Sequence, residues 1–212
     1  MRLNHNFMKR RPKLRYFEIF LLFVFFFLFL IPGPASAQEI KGNDKEAQDK
    51  FSYLIENGAK MIRENEFEIV LTKIRELPSE QKWDFRIKVL ENFAYLKGYM
   101  VTKKKEYGKN WQSFYKPMVF SGDKIATPIL VDLLKDRDPY IRAFTARALG
   151  YLGDQRALEA LKRMADSDPK SKVRSRAKWA YEIILEGKTP GKDLKESFDQ
   201  ETGLDFQQTR GR

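Results

Sequence analysis

From residue 46 to about residue 186, apolar side chains return every three or four positions, the spacing that places them along one side of an α-helix. Residues 46–62 align Phe51, Leu54, Ile55, Ala59 and Met61 or Ile62. Residues 66–77 align Phe67, Val70, Leu71, Ile74 and Leu77, and Pro78-Ser79 ends that helix and begins another. The 80–97 segment carries Trp83, Ile87, Leu90, Phe93, Ala94 and Leu96 as one stripe, with Gly98 following it. Residues 104–118 are less regular and hold Tyr107, Trp111, Phe114 and Tyr115. No stretch alternates apolar and polar residues convincingly, so no sheet is expected and the fold class is all-α.

The pattern repeats itself over residues 122–186. Gly122-Asp123 returns as Gly153-Asp154, and Ala126 and Leu130 return as Ala157 and Leu161 at the same offset of 31. Asp138-Pro139 returns 30 positions later as Asp168-Pro169, and Ile141-Arg142 returns 32 later as Val173-Arg174. Thr145 and Ala148 correspond to Ala177 and Ala180. Each repeated residue has a physical task. Gly153 can take the left-handed conformation that ends a helix, and Asp154 caps the next one. Asp138 and Asp168 are expected as helix caps, with Pro139 and Pro169 at the first helical position, where no backbone donor is needed. Ala146, Ala148, Ala177 and Ala180 are small enough to let helices approach. A single hairpin cannot bury its apolar face, so such hairpins stack.

The stretch DPYIRAFTARALGYLGDQRALEALKRMADSDPKSKVRSRAKWA, residues 138–180, resembles the short HEAT-like repeats first named from phycobilisome lyases. The resemblance rests on the DP turn, the VR-type pair, the alanine-rich second helix and the G-L-G-D turn. The second copy departs from it where Tyr181-Glu182 replaces Leu-Gly, as expected of a terminal capping repeat. It implies a short α-solenoid of helical hairpins preceded by a helical region at 46–121. Residues 85–98 are a candidate diverged copy, aligning Phe85-Arg86 with Ile141-Arg142 and Tyr95-Leu96 with Tyr151-Leu152. Solenoids host many roles, so the resemblance speaks to fold more than to function. Residues 187–212 lose the periodicity and are expected to be a disordered polar tail.

The N-terminus is of another kind. Residues 1–15 are basic, residues 19–31 are an unbroken apolar run, and Pro32-Gly33-Pro34 precedes Ala35-Ser36-Ala37. That order reads as a secretory signal peptide over 1–37, cut after Ala37, with 38–45 a flexible lead-in. The alternative is a membrane anchor formed by residues 16–31. Thirteen apolar residues reach only about 20 Å as a helix, against a hydrocarbon core of about 30 Å. Export is expected either way, to a periplasm or outside the cell. The charge changes meaning accordingly. Six of the 40 basic residues and one of the 29 acidic ones lie in the first 37, so the formal +11 falls to +6 for the remainder.

The sequence has no cysteine, and its single histidine is His5. After cleavage neither residue type is left for His-based acid–base catalysis, Cys nucleophiles or N/S zinc sites. Carboxylate chemistry keeps candidates in Glu64, Glu66 and Glu68 and in Asp132 and Asp136, each otherwise a solvated helix face or turn. No cofactor and no catalytic or metal-ligating residue is expected. The expected function is that of a binding or scaffold module for a protein partner. HEAT-type arrays usually present a groove along their second helices, here about 139–152 and 170–186, so Arg147, Lys178, Trp179 and Tyr181 are the expected contacts. The alternative is an electrostatic adaptor for an anionic envelope surface, through Lys170, Lys172, Arg174, Arg176 and Lys178 with Arg142 and Arg147. Arg142 and Arg174 occupy matched positions, which favours a structural ladder over ligand contact. Lys103-Lys104-Lys105 beside Tyr107, Trp111, Phe114 and Tyr115 could bind glycan or a partner, or pack a connecting helix. Nucleic acid is not expected as a partner.

Overall fold

A computed structural model describes residues 34–119 and 121–188, without the side chains of 34–43, 116 and 117. The apolar run 19–31 and the tail beyond 188 lie outside the described residues. The chain divides into two compact units, 1–46 and 47–212. Of the first, residues 34–46 are described, and they are helical.

All the regular structure among the described residues is helical, with no strand. Helix α1 is Pro34–Arg63, α2 is Phe67–Glu76, α3 is the single turn Ser79–Lys82, α4 is Phe85–Thr102 and α5 is Lys105–Val119. Then come α6 (Thr127–Leu133), α7 (Pro139–Leu152), α8 (Leu158–Ser167) and α9 (Ser171–Leu185), with one-turn 3-10 helices at Lys124–Ala126 and Gln155–Ala157 leading into α6 and α8. The segment 38–45, expected as a flexible lead-in, lies within α1. No helix among the described residues is long and apolar enough to cross a membrane.

Residues 80–97 do not form one helix. Asp84 interrupts them, because its carboxylate accepts the Arg86 backbone N–H at 2.9 Å and so caps a new helix, α4. Trp83 is left at the end of α3 with 77% of its surface exposed, and is not part of the core stripe. Gly98 is not a stop either. The helix runs on to Thr102 and ends at Lys103, whose φ of 59° is left-handed. A Cβ at Gly98 would lie 3.1 Å from the rings of Phe67 and Tyr107. Gly98 is thus a notch in α4 through which α2 and α5 pack close.

One apolar core runs from Leu54 to Ile184. Within it α4 packs on α2 and α5, α6 on α7, α8 on α9, and α7 beside α9. The irregular aromatics of α5 are the bolts of this assembly. Trp111 and Tyr115 are buried, with ring centroids 4.8 and 5.5 Å from Phe144 of α7. The Tyr115 hydroxyl donates to the Phe144 carbonyl at 2.8 Å, and burial pushes that phenol's pKa up. Packing of a connecting helix is what these side chains do here. Phe114 is the exposed exception, with the Lys88 ammonium 5.4 Å from its ring and 5.0 Å from that of Trp83.

Candidate functional site: the groove along the second helices

The last two hairpins begin alike. Gly122 and Gly153 hold φ of 72° and 65°, and the next residues, Asp123 and Asp154, accept the N–H of Ile125 and Arg156 at 2.9 and 3.0 Å. Burial pushes the Asp154 carboxyl up, but the Arg156 guanidinium and backbone outweigh it and bring the pKa down to about 2.

The turns within the hairpins carry a ladder whose register differs from the repeated dipeptide. Asp136, not Asp138, is the counterpart of Asp168. Each accepts the N–H two residues on, from Asp138 at 2.8 Å and from Lys170 at 2.9 Å. Each lends its carbonyl to the arginine six residues on, Arg142 at 2.8 Å and Arg174 at 2.7 Å. Each receives a cation from an earlier helix. Lys97 donates to Asp136 at 2.7 Å, and Arg142 grips both oxygens of Asp168 at 2.7 and 3.0 Å. Arg142 and Arg174 therefore belong to the structural ladder. Asp138 caps α7 through the Tyr140 N–H with Pro139 at the first position, as expected. Pro169 is a correction: α9 starts at Ser171, with Lys170 at its cap position and Pro169 in the turn before it. Asp168 is therefore a turn carboxylate rather than the cap of α9.

With the turns held, α7 and α9 come very close. A Cβ at Gly150 would lie 2.6 Å from the Trp179 ring and 3.0 Å from the Ala180 Cα. Because one obstacle is backbone, Gly150→Ala is expected to destabilise by about 1–3 kcal/mol, as overpacked cores do. A urea midpoint equal to wild type would show that the two helices part freely.

This packing decides where the four expected contacts lie. Trp179 is half-buried against Tyr151, with centroids 5.2 Å apart, and Tyr181 is half-buried against the core. Arg147 is only 2% exposed and lies 5.7 Å over the Tyr151 ring. Lys178 alone of the four stands in solvent, its side chain 71% exposed and 3.9 Å from Glu182. Trp179 and Tyr181 thus serve packing before they can serve a partner.

The concavity between α7 and α9 lies nearer their N-terminal ends. Pro139, Tyr140, Ala143, Lys170, Lys172 and Val173 line a hollow of about 260 Å³. A narrower extension runs on past Phe144, Arg147 and Arg176. Its floor is apolar, its rim is cationic, and Tyr140, 38% exposed, is its aromatic wall. The Lys172 ammonium lies 5.8 Å from the Tyr140 ring. No carboxylate is among the described residues that line either part. Arg147, buried, and Arg176 line the extension, whereas Arg142 and Arg174 are held at the turns. Tyr140 was not legible as a site residue. Its one signal is an aromatic at the second position of a helix, where the apolar stripe does not require one.

Three of the five carboxylate candidates are drawn into structure, while Glu64 and Glu66 are exposed. Asp132 accepts Arg63 at 3.0 Å and Lys135 at 3.1 Å, Asp136 accepts Lys97, and Glu68 accepts the Tyr107 hydroxyl at 3.1 Å. Comparison with curated proteins and with solved structures finds no match. Residues 120–182, which span the two hairpins up to the last turn of α9, match the family described as HEAT repeats.

Proposed function

We propose that the protein is an exported binding module that holds a protein partner through its HEAT-like hairpins and catalyses no reaction. The observation that carries this reading is the hollow between α7 and α9, formed by elements whose repeat family generally mediates protein–protein interaction. Export rests on the basic, apolar and small-residue succession of the first 37 residues. The absence of His and Cys from the remainder supports the non-catalytic part.

Two measurements test it. Intact mass of the protein recovered from cells is expected to place its N-terminus at Gln38; a mass that retains residues 1–37 would favour the anchored form. Crosslinking in cells with the tagged full chain is expected to capture a discrete exported or membrane protein whose complex survives moderate salt. The exposed lysines on the groove rim favour a second reading, an adaptor for an anionic envelope surface. That reading is supported instead if only lipid or cell-wall polymer is recovered and is released between low and moderate salt.

A further inference from the structure

A second surface, built by α3, α4 and α5, shares no residue with the hollow between α7 and α9. We infer that Trp83, Phe114 and the Lys88–Glu91 pair on it bind a neutral, β-linked pyranose chain. This step goes beyond the binding-module reading and shares with it only the proposed export, which brings such chains within reach.

The local fold holds an aromatic out in solvent. Helix α3 is a single turn, and the Asp84 cap starts α4 immediately after Trp83. Trp83 is caught between them, its backbone N–H donating to the Glu80 carbonyl at 3.3 Å and its side chain largely exposed. On α5, Phe114 is 40% exposed while Trp111 and Tyr115 are buried. The Lys88 ammonium joins the two rings, 5.0 Å from the centroid of Trp83 and 5.4 Å from that of Phe114. It also donates to Glu91 at 2.9 Å, and both of these side chains are mostly shielded. Two aromatic plates therefore flank one lysine that is itself held in place.

The chemistry around the plates selects the occupant. The charges adjoining the rings are matched, Lys88 by Glu91, and Asp84 by the Arg86 guanidinium at 2.9 and 2.8 Å. An anionic headgroup or acidic segment gains little from a neutralised cation and meets the Glu91 carboxylate besides. A dry apolar partner that covered Trp83 would have to desolvate the Lys88–Glu91 pair, at a cost that its attraction does not reliably return. What the surface offers is apolar ring area beside spare hydrogen-bonding capacity. An ammonium has three donors and a carboxylate several acceptor sites, and their mutual bond uses one of each; the indole adds an N–H.

A pyranose with equatorial substituents has the same duality. Its faces are C–H and its edge is hydroxyl, and each hydroxyl both donates and accepts. The C–H face lies on an aromatic plate, and the hydroxyls reach Lys88 and Glu91 without leaving them dry. β-Linkage between equatorial positions keeps successive faces open along an extended chain, and two plates suit a chain better than a single sugar.

The test titrates the full chain, as recovered from cells, with chitohexaose and with cellohexaose by calorimetry. Saturable binding of at least one is expected below about 1 mM, in the weak range of affinities. It should be equal at low and moderate salt, because the ligand is neutral. Trp83→Ala is expected to weaken it about tenfold or more, the loss typical of an anchor. Phe114→Ala is expected to weaken it about threefold or more, as the loss of one aromatic contact. Both side chains are exposed, so the helical melts of these variants should match wild type. Tyr140→Ala, on the groove wall, should leave the affinity unchanged. Acrylamide quenching gives a second readout, since Trp83 is exposed whereas Trp111 is buried and Trp179 half-buried. Bound oligosaccharide should reduce quenching in the wild type and leave it unaltered in Trp83→Phe. Binding of neither oligosaccharide, full affinity of Trp83→Ala with its fold intact, or steep loss of affinity with salt would each overturn the proposal. So would phosphatidylglycerol vesicles captured through Trp83, or self-association that Trp83→Ala abolishes, with no sugar bound. The intact-mass and crosslinking measurements decide export and the protein partner separately, so those readings and this one can fail independently.

Discussion

Lys97→Met is expected to destabilise the protein by about 3–5 kcal/mol, the usual cost of leaving one member of a buried ion pair without the other. Lys97 and Asp136 side chains are 3% and 0% exposed and meet at 2.7 Å. Asp136 Oδ1 also accepts the Asp138 N–H, while its Oδ2 takes no hydrogen bond from the described residues. Without Lys97 the carboxylate would be charged, dry and held by one backbone donor. Burial already pushes the Asp136 carboxyl above its ordinary value, against the Lys97 and Asp138 bonds that favour ionisation. Losing Lys97 removes the main opposing contact, so in the variant the group is protonated more readily. A carboxyl raised in the folded state contributes stability below its unfolded pKa and loses it as pH rises through the folded value. The deficit of Lys97→Met should therefore be full at neutral pH and smaller in acid. Adding Asp136→Asn should recover most of it, because both charges then go. Urea unfolding of the two variants at neutral and acidic pH measures this. A single-variant cost under about 1 kcal/mol, as for exposed pairs, would mean the pair is hydrated.

Asp168→Ala is the second large effect expected, at about 2–4 kcal/mol, from the loss of a two-pronged arginine contact and of one backbone acceptor. Arg142 is 12% exposed and would retain only the Asp136 and Arg137 carbonyls. The same residue carries acid sensitivity. Burial pushes the Asp168 carboxyl up, but Arg142 and the Lys170 N–H prevail and hold it below the ordinary value. Asp84, under the Arg86 guanidinium, is likewise lowered, and Asp154 lies at about 2. A depressed carboxyl contributes stability above its unfolded pKa, near 3.8 here, and loses it as pH falls through the folded value. Wild-type melting temperature should therefore drop as pH falls below about 4, as linkage requires, and the gap between wild type and Asp168→Ala should close there. Circular-dichroism melts across that range check it. A gap that stays constant in acid would assign the destabilisation to packing and not to the ionised contact.

The all-helical class, the repeat and its glycine–aspartate entries were legible because they depend on local spacing. The glycine–aspartate entries at 122–123 and 153–154 take the conformations their residue types favour. The ladder was less so. Asp138-Pro139 and Asp168-Pro169 are the same words at different structural positions, since Pro139 opens α7 whereas Pro169 lies in the turn two residues before α9 begins at Ser171. Only the hydrogen bonds show Asp136 as the true counterpart of Asp168. Trp83 fits a helical stripe by spacing alone, and the cap at Asp84 breaks that spacing. The groove was the least legible part. Its position depends on how close Gly150 lets α9 come, and that approach turns Trp179 inward while leaving Tyr140 as a wall.

On the reading proposed above, the groove face of the HEAT-like hairpins receives a protein partner. Site-specific photo-crosslinking in cells can locate that contact, with a benzophenone side chain placed at Tyr140 on the groove wall or at Lys162 on the exposed side of α8. One discrete exported or membrane protein is expected to be trapped from position 140 and not from position 162. Equal trapping from both positions, or trapping from 162 alone, would contradict it.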